Sequence, residues 1–303
     1  MGQYEISVII PHKDSLATLC RLLKSIPFSD KLEVIVIDNS LNRITYDEIG
    51  FGAKFRLLYS DTSKYAGGAR NVGINAANGK WLLFADADDF FTDDAFDVFF
   101  SYVKEGGNDV VYFRSDSVFD DTLLPSDRNV LFNSYVENYL LGKISKLDLC
   151  LSYVVPWCKL IKRDFVKKYA IKFDEVIAAN DVMFSTLVGY YARNIAVDSR
   201  KVYVVTTKKG SLSNRLDLSV VKARYHVALN RNKFLREHGL GNKQGSVMIY
   251  FYRSLFFGIK VMARFVLDAV EYRQNPFIGC RNWVSTYLNL RKKENLNRKY
   301  IIR

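Results

Sequence analysis

Tyr4-Glu5-Ile6-Ser7-Val8-Ile9-Ile10-Pro11-His12-Lys13-Asp14 is an apolar run that stops at a proline and opens into polar residues. It reads as a buried strand closed by a turn signal. Over residues 15–26, apolar side chains recur at Leu16, Leu19, Leu22, Leu23 and Ile26, the period of a helix. A second buried strand follows, Leu32-Glu33-Val34-Ile35-Val36-Ile37, and ends in Asp38-Asn39-Ser40. Strand, helix and strand in under forty residues form a βαβ unit, which predicts an α/β fold with a parallel sheet. A third strand is expected over residues 55–59, a short helix over 69–77 and a fourth strand over 81–85.

Polar residues thus collect at three strand ends: residues 11–14, 38–40 and 86–89. In a parallel sheet those ends share one edge, and open α/β sheets bind ligands beyond the carboxyl ends of their strands. One nucleotide can touch all three. Ahead of the fourth strand lies Gly67-Gly68-Ala69-Arg70-Asn71-Val72-Gly73, and thirteen residues later Asp86-Ala87-Asp88-Asp89. Asp-x-Asp can hold a hard divalent cation against substrate phosphates. The combination points to chemistry on a sugar nucleotide. Plainer readings stand beside it on the residues alone. Thr92-Asp93-Asp94 reads as a helix start with Thr92 as N-cap, and Asp88 and Asp89 as an extension of that solvated acidic turn. Gly67-Gly68 reads as a turn needing positive φ.

Composition fits one enzyme of one large or two modest domains: 303 residues, 49% hydrophobic, enough to bury a sizeable core. The four cysteines, Cys20, Cys150, Cys158 and Cys280, lack paired metal spacing and sit in apolar contexts, which suggests reduced thiols in the cytosol. Three histidines argue against a zinc site or a His-driven triad. No signal peptide is visible at the N-terminus, and Met1-Gly2 has Ile6 where myristoylation wants Ser or Thr.

Charge is unevenly divided. Residues 201–303 hold 21 Lys and Arg against 5 Asp and Glu, a net +16, whereas residues 1–200 are net −4. Residues 247–270 are apolar and aromatic, with Arg253, Lys260 and Arg264 at spacings of seven and four, so one helix through them would carry a narrow basic stripe. Three charges make a poor transmembrane span. An interfacial helix, aromatics in the headgroup boundary and cations towards anionic lipid, has this look. So does a helix packed on the catalytic domain or in a homodimer contact. The tail adds Arg291-Lys292-Lys293 and Arg298-Lys299, which would suit an anionic membrane surface. No nucleic-acid-binding motif is present, so nucleic acid is not an expected partner.

Four signatures, Ser7-Val8-Ile9-Ile10-Pro11, Glu33-Val34-Ile35-Val36-Ile37-Asp38, Gly68-Ala69-Arg70-Asn71-Val72-Gly73 and Phe84-Ala85-Asp86-Ala87-Asp88-Asp89, resemble a family 2 glycosyltransferase in order and spacing. A fainter match runs through Pro156-Trp157-Cys158-Lys159-Leu160-Ile161, Asn180-Asp181-Val182-Met183-Phe184 and Gly210-Ser211-Leu212-Ser213, so the resemblance covers roughly residues 4–215. It implies a GT-A fold, Rossmann-like with a mainly parallel sheet and flanking helices. That would be a catalytic domain over residues 1–215, followed by a basic, aromatic-rich helical extension over 216–303. It further implies an inverting transfer from a nucleotide-sugar donor, a UDP-sugar first, to a hydroxyl of a glycan or lipid-linked acceptor. The setting would be surface polysaccharide assembly, in the cytoplasm or peripheral on the inner membrane face.

By the same resemblance, Pro11 and Asp38 border the nucleoside pocket, Arg70 stands near the nucleotide, and Asp86 faces the ribose or metal shell. Asp88 is the implied Mg²⁺ or Mn²⁺ ligand, and Asp181 the base that takes the acceptor's proton. His12, Asp14, Asn39, Lys64, Gly68 and Ala87 complete the implied donor site. On residues alone, Asn180 or Asp181 also reads as a helix N-cap. Three departures stand out: Asp38-Asn39 where the family often has Asp-Asp, Asn180 where it usually has Glu, and no metal-binding His in Val204-Val205-Thr206-Thr207-Lys208-Lys209. Two other functions fit the chain: transfer to a lipid-phosphate acceptor, which needs no base, and a non-catalytic nucleotide-sugar-binding scaffold.

Overall fold

The computed structural model describes residues 4–208 and 217–278. The chain divides into two compact units, Met1–Asn214 and Arg215–Arg303. The Gly210–Ser213 motif, Lys209, Cys280 and the basic tail lie outside the described residues.

In the first unit, β1 (Ile6–His12), β2 (Leu32–Asp38), β3 (Arg56–Tyr59) and β4 (Trp81–Phe84) are the four strands anticipated from the apolar runs. The other strands are β5 (Phe90–Phe91), β6 (Val110–Phe119), β7 (Lys159–Lys162) and β8 (Ile195–Thr207). They form one sheet in the order β3-β2-β1-β4-β7-β6-β8-β5. β1 pairs in parallel with both β2 and β4, and β2 with β3. β7 then runs antiparallel to both β4 and β6, while β6 and β8 are parallel. The sheet is therefore mixed, and only its first half is wholly parallel. Two reversals restore the direction, so β8 ends on the same edge as β1, β2 and β4.

β1 and β2 are buried at every position, as strands covered on both faces must be. β1 does not stop at Pro11 but runs through it to His12. The missing N–H is harmless there, because β4 pairs with β1 only as far as Ile9. Around the sheet lie α1 (Leu16–Lys24), α2 (Tyr46–Ile49), α3 (Tyr65–Ala76), α4 (Ala95–Glu105), α5 (Val130–Leu140), α6 (Lys146–Ser152), α7 (Arg163–Lys168) and α8 (Val182–Tyr191). Thr92 is not the cap of α4: Asp94 holds that position, and the Thr92 hydroxyl donates instead to the Lys201 carbonyl at 3.0 Å. α3 begins four residues earlier than its pattern suggested and takes Gly67 and Gly68 into the helix. Neither needs positive φ, and Gly73 shows why the helix is glycine-rich. A Cβ there would lie 2.4 Å from Ile9 Cγ2 and 2.9 Å from Ile37 Cδ1, so glycine sets the helix-to-sheet distance.

The second unit contains α9 (Leu218–Glu237), α10 (Met248–Leu255) and α11 (Ile259–Glu271). The single helix expected over residues 247–270 is broken at Gly258, whose φ of 106° is closed to L side chains. Arg253 therefore sits on a different helix from Lys260 and Arg264, and Arg264 is paired with Asp268 at 2.9 Å. The one continuous basic stripe does not form. Tyr250, Phe251 and Phe257 pack against a small core of Val221, Tyr225, Leu229, Val247 and Phe265. Leu255, Phe256 and Ile259 stay exposed at the α10–α11 corner.

One buried polar knot holds the parallel half at the edge opposite the ligand side. Glu33 of β2 accepts from Ser7 Oγ of β1 at 2.6 Å, from Asn78 N at 2.7 Å and Nδ2 at 2.8 Å, and from Arg56 of β3 at 2.5 Å. Burial alone would raise its pKa, but these donors outweigh burial and hold it below the ordinary 4.5. Glu33→Gln turns an NH₂ group towards donors, and we expect a loss of about 1–3 kcal/mol near neutral pH. Because the folded pKa is depressed, this stabilisation is present above the unfolded carboxylate pKa and fades as pH falls through the folded value. Urea melts at neutral and acid pH should show the difference between the two proteins shrinking in acid.

Candidate active site

The carboxyl ends of β1 and β4, the start of α3 and the end of β8 surround a pocket of about 440 Å³. From β1 and its loop come Pro11, Lys13, Asp14 and Ser15; from α3, Ala66 and Arg70; after β4, Asp86, Ala87 and Asp88; after β8, Lys208. Six of the expected site residues therefore meet: Pro11, Asp14, Arg70, Asp86, Ala87 and Asp88. Lys13 falls in the stretch 11–14 expected at this edge, while Ser15, Ala66 and Lys208 were not anticipated. Ser15 adjoins Asp14 and Ala66 lies between Lys64 and Gly68, but Lys208 is brought in only by the path of β8, which no local pattern shows.

Other expected residues do not line the pocket. His12 and Asp38 are buried and joined to each other, Nδ1 to Oδ1 at 2.9 Å. Asp38 also accepts from Ser40 Oγ at 2.7 Å and from Ile44 N at 3.1 Å. Burial opposes its charge, yet these donors lower its pKa below 3.8. A carboxylate so committed shapes the loop after β2. Asn39, also buried, donates to the Asp61 carbonyl at 2.7 Å. A carboxylate there would face that carbonyl oxygen with no donor, which accounts for Asn in place of Asp. Lys64 is half-exposed and paired with Glu175 at 3.1 Å. Gly68 leaves room for the Lys64 side chain, whose Cβ would otherwise be 2.3 Å from a Cβ at 68.

Arg70 organises the rest. One arm of its guanidinium donates to Asp86 Oδ1 at 2.5 Å, the other to Asn180 Oδ1 at 2.8 Å, and its plane lies over Phe173. The fork matches two acceptors at once, which a lysine cannot do. Neighbouring Asn71 clasps the backbone of Phe173, accepting from its N–H at 2.9 Å and donating to its carbonyl at 3.0 Å. A Cβ at Gly67 would lie 1.9 Å from the Asp174 carbonyl oxygen. Gly67, Arg70 and Asn71 together dock the 173–180 loop on α3, and that loop delivers Asp181. Asn180 is a neutral acceptor here, adding no third charge beside Asp86 and Asp181.

Asp181 occupies the N-cap of α8, yet its side chain makes no capping hydrogen bond. Burial raises its carboxyl pKa above the ordinary 3.8; Arg70 and Lys159 oppose the rise and Asp86 adds to it. Lys159, wholly buried on β7, donates to the Tyr153 carbonyl at 2.6 Å and lies over the Tyr112 and Tyr153 rings. Burial lowers its pKa to about 7.

The acidic run after β4 is not a solvated turn. Asp89 is 2% exposed and accepts from Thr206 N at 2.7 Å; burial, then the charges of Asp88 and Asp86, push its pKa well up. The Asp88 carbonyl accepts from Arg21 and Thr206, which fixes the backbone at the point where Asp88 lines the pocket. Burial and then the Asp86 charge raise the Asp88 pKa, with Lys208 and Arg128 opposing. Among the described residues no group of three or more His, Cys, Asp or Glu could hold a metal. Two neighbouring carboxylates, one engaged by Arg70, still suit Mg²⁺, which takes one or two protein carboxylates and completes its shell with phosphates and water.

The pocket lies beyond the carboxyl ends of the strands, where open α/β sheets bind their ligands. Residues 7–170 match Glycosyl transferase family 2, and the chain belongs to that family. Cholesterol galactosyltransferase of Borreliella burgdorferi is 23% identical over 89% of this chain and 80% of its own length. Poly(ribitol-phosphate) beta-N-acetylglucosaminyltransferase TarS of Staphylococcus aureus is 25% identical over 68% of this chain, a match that spans 36% of TarS. The crystal structure of TarS 1–349 with UDP-GlcNAc superposes with a TM-score of 0.65 at 20% identity, covering 88% of this chain and 80% of that one. The mannosyltransferase PcManGT of Pyrobaculum calidifontis, in complex with GDP-Man and Mn²⁺, gives 0.53 at 14% identity over 99% and 84%. The fold is the expected GT-A fold with a helical C-terminal region, and the chain is a transferase.

Arg70→Lys keeps the charge but reaches only one of Asp86 and Asn180. The expected outcome is at least a tenfold fall in kcat/KM, from the loss of one charge-assisted bond. The melting temperature should stay within a few degrees. Wild-type kcat/KM in this variant would show that the fork is dispensable.

Proposed function

We propose that this enzyme transfers a sugar, with inversion, from a nucleotide-sugar donor to a hydroxyl of a glycan or lipid-linked acceptor in surface polysaccharide assembly. The observation that carries the reading is the meeting of Asp86, Asp88 and Arg70 in one pocket, with Asp181 tied to it through the Arg70–Asn180 bond. The names of relatives support the setting, among them succinoglycan biosynthesis protein ExoO of Rhizobium meliloti and amylovoran biosynthesis glycosyltransferase AmsB of Erwinia amylovora. A UDP-sugar is the first donor to test, because TarS is crystallised with UDP-GlcNAc and WfgD of Escherichia coli is named for UDP-Glc.

The chain's own groups divide the work. Pro11 and the loop after β1 flank the donor, and Arg70 holds Asp86 in place. Asp181 accepts the proton of the acceptor hydroxyl as its oxygen attacks the anomeric carbon opposite the leaving group. Asp88, with Asp86 beside it, would hold Mg²⁺ or Mn²⁺, which neutralises charge on the diphosphate leaving group when bound.

Among the described residues no helix is long and apolar enough to cross a membrane. The exposed corner of Leu255, Phe256 and Ile259, on a unit rich in Lys and Arg, favours peripheral contact with an anionic membrane face. Anionic vesicles should bind the protein at low salt and release it as salt rises, neutral vesicles should not, and Phe256→Ser with Ile259→Ser should weaken binding. Equal binding by that double variant would point away from this corner.

Asp88→Asn should abolish transfer from the donor while the protein stays folded, and excess chelator should do the same to wild type. Full activity in either test would remove the metal role. Because burial raises Asp181 above the ordinary carboxylate pKa, the base is deprotonated only above that raised value. A profile of kcat against pH should therefore fall on the acid side at a pH higher than 3.8, the ordinary Asp value.

A further inference from the structure

Lys208 follows directly on β8 and lines the same pocket as Asp88 and Arg70. Its recorded partner is Asp120, at 3.4 Å from Nζ to Oδ2. That is long for a charge-assisted bond, which is strongest near 2.7–2.9 Å. Asp120 does not depend on it, because Arg21 Nη2 holds Oδ1 at 2.7 Å. The same Arg21 nitrogen donates to the Asp88 carbonyl at 2.6 Å, so Arg21 fixes Asp120 and the Asp88 loop in one frame. Lys208, 37% exposed, is the loosely held member of that frame. The pocket's other cations are placed differently. Arg70 is engaged by Asp86 and Asn180, and Lys13 is exposed to solvent.

We propose that Lys208 binds the diphosphate of the donor: its ammonium leaves Asp120 and neutralises the charge that develops on the departing nucleoside diphosphate. The proposal rests on the nucleotide-sugar reading given above. In the transfer, the bond from the anomeric carbon to the phosphate oxygen breaks and the bond to the acceptor oxygen forms. The acceptor's proton goes to Asp181 and the electron pair to the diphosphate. Lys208 moves no proton. It supplies a positive charge where the negative charge arrives, and Asp120 parks that charge at the site when no donor is bound.

Calorimetric titration of UDP and GDP into wild type, Lys208→Met and Lys208→Arg, each with Mg²⁺ and with chelator, tests this. Lys208→Met should weaken whichever nucleoside diphosphate wild type binds by about tenfold or more, the size of one charge-assisted contact. The loss should be larger in chelator, where no divalent ion shares the load. Lys208→Arg should stay within about threefold of wild type, and the unliganded melting temperature of both variants should match wild type. Unchanged affinity in Lys208→Met overturns the proposal, as does equal weakening in Lys208→Arg, which would make the position steric. Binding of neither nucleotide by wild type would overturn the donor reading itself, and this proposal with it.

Discussion

The site depends on the guanidinium of Arg70. It is nearly buried, and its two arms hold a carboxylate from the end of β4 and an amide from the loop before α8. These elements are far apart in sequence, 16 residues in one case and 110 in the other. Asp86 lines the pocket and Asn180 leads directly into Asp181, so in the proposed reading one residue sets the separation of donor and base. One acceptor is a carboxylate and the other a neutral amide oxygen, and a planar fork is the geometry that reaches both at once. The motif around Arg70 serves the same end: Gly67 permits contact with the loop, and Asn71 clasps its backbone.

Much of this was legible in the sequence because the parallel half of the sheet is written in local patterns. Residues 6–38 alternate apolar run, helical period and apolar run, and such a unit has few ways to fold. The acidic exit of β4 was readable for the same reason. Asp88 needed only the rule that strand ends share an edge, whereas Arg70, inside α3, was placed by the family resemblance. The roles of His12, Asp38 and Asn39 were not readable, since a polar residue at a strand end serves a ligand or a loop with the same pattern. In the structure their hydrogen bonds run to one another and to the neighbouring loops. The antiparallel insertion of β7 was also hidden, because Lys159 to Lys162 is too short to reveal direction. Lys208 was hidden with it, since its place follows from the two reversals that turn β8 back to the ligand edge.

The second unit shows a different limit. Spacings of seven and four put Arg253, Lys260 and Arg264 on one face only if the helix is continuous. Gly258 breaks it, and the Asp268 carboxylate takes up Arg264. Charge counting identified a basic region correctly but could not see which cations are already answered. What is left exposed at the α10–α11 corner is Leu255, Phe256 and Ile259 with Lys260 beside them, and this centres the proposed membrane contact on an apolar corner rather than on a basic stripe.

The central claim is that donor binding and proton removal are separate tasks joined through Arg70. Asp181→Asn tests it most directly, with turnover and nucleotide affinity measured on the same preparation. Turnover should fall by about 10²–10⁴-fold, the usual contribution of a positioned base, while nucleotide affinity stays within about twofold. A collapse of nucleotide affinity alongside turnover, or turnover equal to wild type, would contradict the account.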